Sequence, residues 1–451
     1  MNITQIISIL IFLTTIGLIA VERFERVYVA LVAAGSMFII GAVEPREFLS
    51  FIDIEILGII IGMMLLVNGA EKSGIFDIVA IRILRISKGI TSFAVILMAF
   101  TMFLSMVLNN IGAMLVSAGI TTTMMRALKL KPNTFLIFQA LIANIGGMML
   151  LMSSIPNIIV SIAGEISFNS FAINIAPLAI LLFSVTAIIF LQVFKKGSLS
   201  DLDSDSLSQA PNIDEIKPDV TILEEIRRLE FTEWVELAVK ELGTIKHDWR
   251  QNIAAIILFG TIFGFVVYDQ FGLTPVFVAL TGGVLMMIYS HDEPTEALRE
   301  VDWSTAFFLA GLFTMINGMN NIGLIDILSK AMLGFAGRWP VFLPITIMWL
   351  SAFPSSLIDN IPLTATFAPM IRIWVTKGFS RNIWWGLVIG ANLGGNLTPI
   401  GSPSGILVLG VSQREGNPIS LSEFFKYSFP ITLIHLAISM IYLYAVYVIL
   451  L

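Results

Sequence analysis

The chain has 451 residues, 57% of them hydrophobic and 13% charged, with a mean hydropathy of +0.90. Soluble domains carry roughly 25% charged residues, so the composition describes a polytopic membrane protein and excludes an ordinary soluble enzyme. With no cysteine and only three scattered histidines (His247, His291, His435), disulfides, thiolate chemistry and a histidine metal site are excluded as well.

Ile3–Ala20 is the first apolar run. It lacks a basic flank and a cleavage site, and so reads as a transmembrane helix rather than a removed signal. Runs of spanning length, about 17–25 residues, follow near 27–43, 54–70, 170–194, 252–270, 274–290, 303–319 and 429–451. His435, in the last of these, fits a helix-contact donor better than a ligand. Four further regions, 91–125, 133–165, 339–373 and 382–412, are apolar but interrupted near their middles by Asn, Ser, Gly or Pro. Glu71–Gly89 and Asn320–Arg338 mix charge with Ile and Leu at helical spacing, as interfacial amphipathic helices do.

An acidic linker, residues 195–250, separates the halves 1–194 and 251–451. It holds 13 Asp/Glu against 8 Lys/Arg and so accounts for −5 of the net charge of −6. The charge therefore describes one loop and points to no nucleic-acid partner. The linker opens on a flexible Ser/Asp-rich run. It continues into Thr221–Glu224, a capping box before an amphipathic helix with Ile222, Ile226, Leu229 and Trp234 on one face. A solvated connection and a regulatory element both fit it.

The halves are copies. Val27–Ile78 and Val276–Ile327 align without a gap, matching Ala30/Ala279, Glu44/Glu293, Pro45/Pro294, Asp53/Asp302, Gly62/Gly311, Asn68/Asn317, Gly69/Gly318 and Gly74/Gly323. Beyond them Ser105/Ser355, Asn110/Asn360, Asn144/Asn392 and Ser154/Ser402 pair with small slips. If 91–125 and 339–373 are re-entrant hairpins, each copy crosses an odd number of times and the copies are inverted. Placing the N-terminus outside puts 20 of the 26 Lys/Arg in cytoplasmic loops. The expected fold is thus all-α and polytopic, with two inverted repeats. Each carries a re-entrant hairpin (91–125, 339–373) and a broken helix (133–165, 382–412), and their breaks meet around a shared site.

Asp359, in SAFPSSLIDNIPLTATFAPMI (Ser351–Ile371), is the one acid this reading places deep in the membrane; Asp53 and Asp302 start their helices near an interface. Burial raises a carboxyl pKa, so Asp359 could alternate between a proton and Na⁺; a permanently ionised group that only coordinates a cation is the opposed expectation. Asn109 faces it in the other copy. No second deep acid is present for an intramembrane aspartyl protease, and no GxxxxGK[ST] motif for an ATP-driven pump. A channel differs in predicting flux without proton counter-movement.

LIDNIPL (Leu357–Leu363) and GANLGGNLTPIGSPS (Gly390–Ser404) resemble signatures of the ion transporter superfamily, in the branch of NhaD-type Na⁺/H⁺ antiporters, ArsB-type arsenite permeases and the melanosomal P protein. The resemblance implies a homodimer and an elevator-like transport domain in the plasma membrane of a prokaryote. It also implies an ion site lined by Ser355, Asp359, Asn360, Asn392, Asn396, Thr398 and Ser402, with Na⁺ at Asp359, Asn360 and Thr398. Ser105, Asn109, Asn110, Asn144 and Asn157 are the candidates from the first half. That half departs from the family pattern: Gly146–Asn157 lacks its two threonines, an acid and a glycine, and Asn109 replaces an Asp. Na⁺/H⁺ antiport with no bound cofactor is the first expectation. Proton-coupled efflux of arsenite or silicic acid is the alternative, and carboxylate symport is third.

Overall fold

The computed structural model describes residues 2–21, 23–127, 130–205, 249–290, 293–336 and 340–449, with linker positions 233, 235, 236 and 239. The Thr221–Glu224 capping box and its apolar face lie outside them. Every regular element described is helical.

The first half runs α1 (Ile3–Val21), α2 (Arg26–Ile39), α3 (Phe48–Phe51), α4 (Ile54–Lys72), α5 (Ile75–Ile86), α6 (Ile90–Val107), α7 (Asn110–Ala127), α8 (Asn133–Met149), α9 (Ile155–Gly164) and α10 (Phe168–Asp205). The second repeats the order: α11 (Trp249–Val267), α12 (Pro275–Ser290), α13 (Pro294–Arg299), α14 (Trp303–Asn321), α15 (Leu324–Ala336), α16 (Leu343–Ser355), α17 (Asn360–Thr376), α18 (Ile383–Gly394), α19 (Pro403–Arg414) and α20 (Leu421–Tyr444). Six described helices are long and apolar enough to cross a membrane, and α14 with α15 forms a further candidate span bent by 80°. The α6–α7 hairpin and the α8–α9 break recur as α16–α17 and α18–α19, one set in each of the two inverted repeats.

Residues shared by the copies hold the copies together. A Cβ on Gly62 of α4 would lie 2.5 Å from the Ala279 carbonyl carbon of α12, and one on Gly311 of α14 would lie 2.8 Å from that of Ala30 in α2. The same crossing is thus made twice, each time between a helix of one copy and its exchanged partner in the other. Gly74 and Gly323 adopt φ of 74° and 71°, a left-handed turn open to glycine at little cost, where the chain swings into α5 and α15. Asp53 and Asp302 cap α4 and α14, accepting from the Ile56 and Thr305 amides at 3.1 and 3.0 Å. Carboxylates there satisfy free helix-start N–H groups.

The hairpins turn at 108–109 and 356–359, and the broken helices at 150–154 and 395–402. Prolines do not make every break: Pro354 and Pro369 lie inside helices, whereas Pro156 and Pro403 open α9 and α19, where a missing N–H is harmless. Helix α10 is described from Phe168 to Asp205, with Pro177 inside it. One boundary differs from the sequence reading. Helix α20 starts at Leu421, ahead of its apolar run, because Ser420 Oγ caps it by accepting from the Glu423 amide at 3.1 Å.

Candidate functional site

The broken helices cross at their interruptions, and asparagines join them. Asn144 of α8 accepts from Asn110 Nδ2 at 2.7 Å and from Ser404 Oγ at 3.1 Å. Its own amide donates to Asn396 Oδ1 at 2.7 Å and Ser402 Oγ at 2.9 Å. Ser105 Oγ lies 2.8 Å from Asn110 Oδ1. The exchanged partner Asn392 donates to Asn157 Oδ1 at 3.0 Å and accepts from Ser154 Oγ at 3.4 Å, mirroring the Asn144–Ser402 contact. These side chains are buried apart from that of Ser154. Asn144 and Asn392 therefore spend their hydrogen-bonding capacity tying the copies together.

Each hairpin is fastened to the broken helix of its own copy. Ser105 reaches the Ala143 carbonyl at 2.5 Å, and Ser355 the equivalent Ala391 carbonyl at 2.6 Å. Thr398 donates to the Ser356 carbonyl and accepts from the Gly401 amide at 3.0 Å. At the tips, Asn109 Oδ1 accepts from the Gly112 amide at 2.8 Å and Asp359 Oδ1 from the Ile361 amide at 3.1 Å. The two are equivalent helix-start acceptors, and only Asp359 carries charge.

Asp359 is not isolated. Its Oδ2 accepts from Arg26 Nη1 at 2.8 Å, and its side chain is 17% exposed. Arg26 opens α2 in the other copy. Its Nη2 donates to Thr305 Oγ1 at 3.1 Å, and Thr305 Oγ1 donates to Asp302 Oδ2 at 2.5 Å. The guanidinium carbon lies 5.4 Å from the Phe308 ring centre, within cation–π range. Arg26 is thus held on the helices that cross at Ala30–Gly311, while Asp359 belongs to the hairpin. Of the three residues expected around Na⁺, Asp359 is paired with Arg26, Thr398 is bonded within its own copy, and Asn360 opens onto a cavity.

Two adjoining cavities share Arg26, Ile111 and Pro403 in their walls. One, about 520 Å³, is lined by Asp359, Leu357, Ser402, Arg23 and Glu25. The other, about 330 Å³, is lined by Asn109, Asn110, Ser153, Ser154, Asn360, Glu71, Glu300 and Asp302. Carboxylates outnumber cations around the smaller one, whereas the larger has two of each, and Lys72 pairs with Glu300 at 2.7 Å. Arg26, Thr305, Glu71 and Glu300 are absent from the sequence-derived set. Arg26 lies one residue before the matched segment, where its counterpart in the second copy is Pro275, so the duplication did not point to it.

The CitMHS family, described as citrate transporter, matches residues 16–390. An uncharacterized transporter of Mycobacterium tuberculosis is 27% identical over 456 residues, covering 99% of this chain and 100% of that protein. The human P protein is 25% identical over 502 residues, covering 96% of this chain and 59% of that protein. The crystal structure of the Alcanivorax borkumensis YdaH transporter is similar in fold at a TM-score of 0.58 and 14% identity, covering 88% of this chain and 86% of that one.

Proposed function

Because the chain belongs to the CitMHS citrate transporter family and is thereby a secondary transporter, we propose that it exchanges Na⁺ for protons at Asp359 by alternating access. The observation that carries this reading is the Arg26–Asp359 pair at 2.8 Å, which joins a carboxylate on a hairpin tip to a cation fixed on the other copy. A carboxylate already held by a cation is chemically suited to exchange it for another cation or a proton. The smaller cavity, with Glu71, Glu300 and Asp302 against Arg26, favours positive or neutral solutes, because charge of one sign in a low-dielectric cleft concentrates its counter-ion. Asn360 and the backbone carbonyls at the hairpin tip are the oxygen ligands nearest in sequence. With the N-terminus outside, in a prokaryotic plasma membrane, both cavities face the cytoplasm.

A second reading rests on the family description together with Arg23 and Arg26 in the larger cavity. A carboxylate solute such as citrate would be drawn to these guanidinium groups, with its cation held by the acids. Everted vesicles loaded in turn with Na⁺, citrate, arsenite or silicic acid under an imposed pH gradient separate the solutes. The Na⁺/H⁺ reading expects Na⁺ alone to collapse the gradient, and Asp359→Asn to abolish that response. Collapse by citrate but not Na⁺ would replace it with the second reading, and proton coupling that survives Asp359→Asn would refute the role of this carboxylate.

A further inference from the structure

We propose that Arg26 is a one-sided latch: its guanidinium takes the place of the transported cation on Asp359 and holds the unloaded carrier in the state observed here. This rests on the reading of Asp359 as the exchanging carboxylate. Arg26 is anchored by Thr305 at 3.1 Å and by the Phe308 ring at 5.4 Å, both on α14. Any movement of the α16–α17 hairpin relative to α2 and α14 therefore breaks the 2.8 Å ion pair rather than carrying Arg26 along.

The inverted repeat shows where a matching latch would sit in the opposite state, and the residues for it are missing. The equivalents of Arg26, Thr305, Phe308 and Asp359 are Pro275, Ile56, Ile59 and Asn109. Of the capping pair only Asp53 remains, and it accepts from the Glu55 and Ile56 amides. The Gly62–Ala279 crossing recurs as Gly311–Ala30, but among the described residues this polar contact is made once. Charged groups facing Asp359 come from α2 and the segment before it (Arg23, Glu25, Arg26) and, through Thr305, from Asp302 of α14. Hairpin α6–α7 contributes Ile111 and α19 contributes Pro403 and Ile406, none of them charged.

Two cations then compete for one carboxylate: Arg26 and the transported ion. Arrival of the latter releases the hairpin, whereas an empty Asp359 is recaptured by Arg26. The latch thereby suppresses return of the empty carrier and enforces exchange over leak.

The native chain has no cysteine, so Leu357→Cys, in the larger cavity and 64% exposed, provides a unique reporter. It is labelled with a membrane-impermeant maleimide in vesicles of both orientations. With Arg26 present, labelling without Na⁺ is expected from one side only, becoming two-sided when Na⁺ is added. Arg26→Gln should label from both sides under all conditions and raise unexchanged ion leak about five-fold, the factor a partly exposed ion pair contributes to a two-state population. The swap Arg26→Asp with Asp359→Arg, which rebuilds the pair without a hairpin carboxylate, should restore one-sided labelling with and without Na⁺, with no transport. Sided labelling and tight exchange retained in Arg26→Gln, or two-sided labelling in a folded swap variant, overturns the latch. Loss of proton coupling in Asp359→Asn beside an unaffected Arg26→Gln would sink the latch alone; coupling that persists in Asp359→Asn would sink the exchange reading.

Discussion

Asn144 is 1% exposed and takes part in four hydrogen bonds to Asn110, Asn396, Ser402 and Ser404. Asn144→Leu strands these partners in a dry interior, where each unsatisfied group costs about 1–3 kcal/mol. The variant should unfold in detergent at a clearly lower temperature than wild type, read by the thermal shift of intrinsic fluorescence; an unchanged midpoint would show that the partners find other bonds or water. Asp359→Asn, which keeps an acceptor for the Ile361 amide, should unfold within a degree or two of wild type while losing its proton response. The asparagines were legible in the sequence because amides paired across two copies are rare in apolar surroundings. Their mutual saturation was not, because which Asn faces which depends on how helices 252 residues apart cross. Arg26 was hidden for the same reason: its partner lies 333 residues away, and an arginine opening an apolar helix ordinarily turns its charge toward water.

At the scale of helices, the two glycine crossings carry the contact between copies. A side chain at Gly62 or Gly311 must push backbone from backbone, and overpacking of this kind costs about 1–3 kcal/mol or more. Gly62→Leu and Gly311→Leu should therefore lower stability to similar extents, as the symmetry requires, whereas Gly410→Leu, which meets nothing within 4 Å, should not. Parallel chemical-denaturation curves check this, and a large inequality between Gly62→Leu and Gly311→Leu would contradict equivalent crossings. The duplicated columns stand out in the amino-acid sequence because close approach admits only small residues, and a cap or a left-handed turn admits few others. The helix start at Leu421 was less legible, since it is set by a serine cap rather than by hydropathy.

For the whole molecule, the inverted copies make a scaffold with two equivalent ends, yet the hairpin tip bearing Asp359 is engaged at only one of them, that of Arg26 and Asp302. In the alternating access proposed above, the tip leaves this end for the other, marked by Asp53. Spin labels at Leu357 on the hairpin, Leu298 near the engaged end and Leu49 near the opposite end test this directly by pulsed dipolar spectroscopy, since all three side chains are exposed. On saturation with Na⁺, the 357–298 distance should lengthen and the 357–49 distance shorten, while 49–298 stays fixed. Distances from Leu357 that remain constant in protein proven to transport under the same conditions would contradict the account.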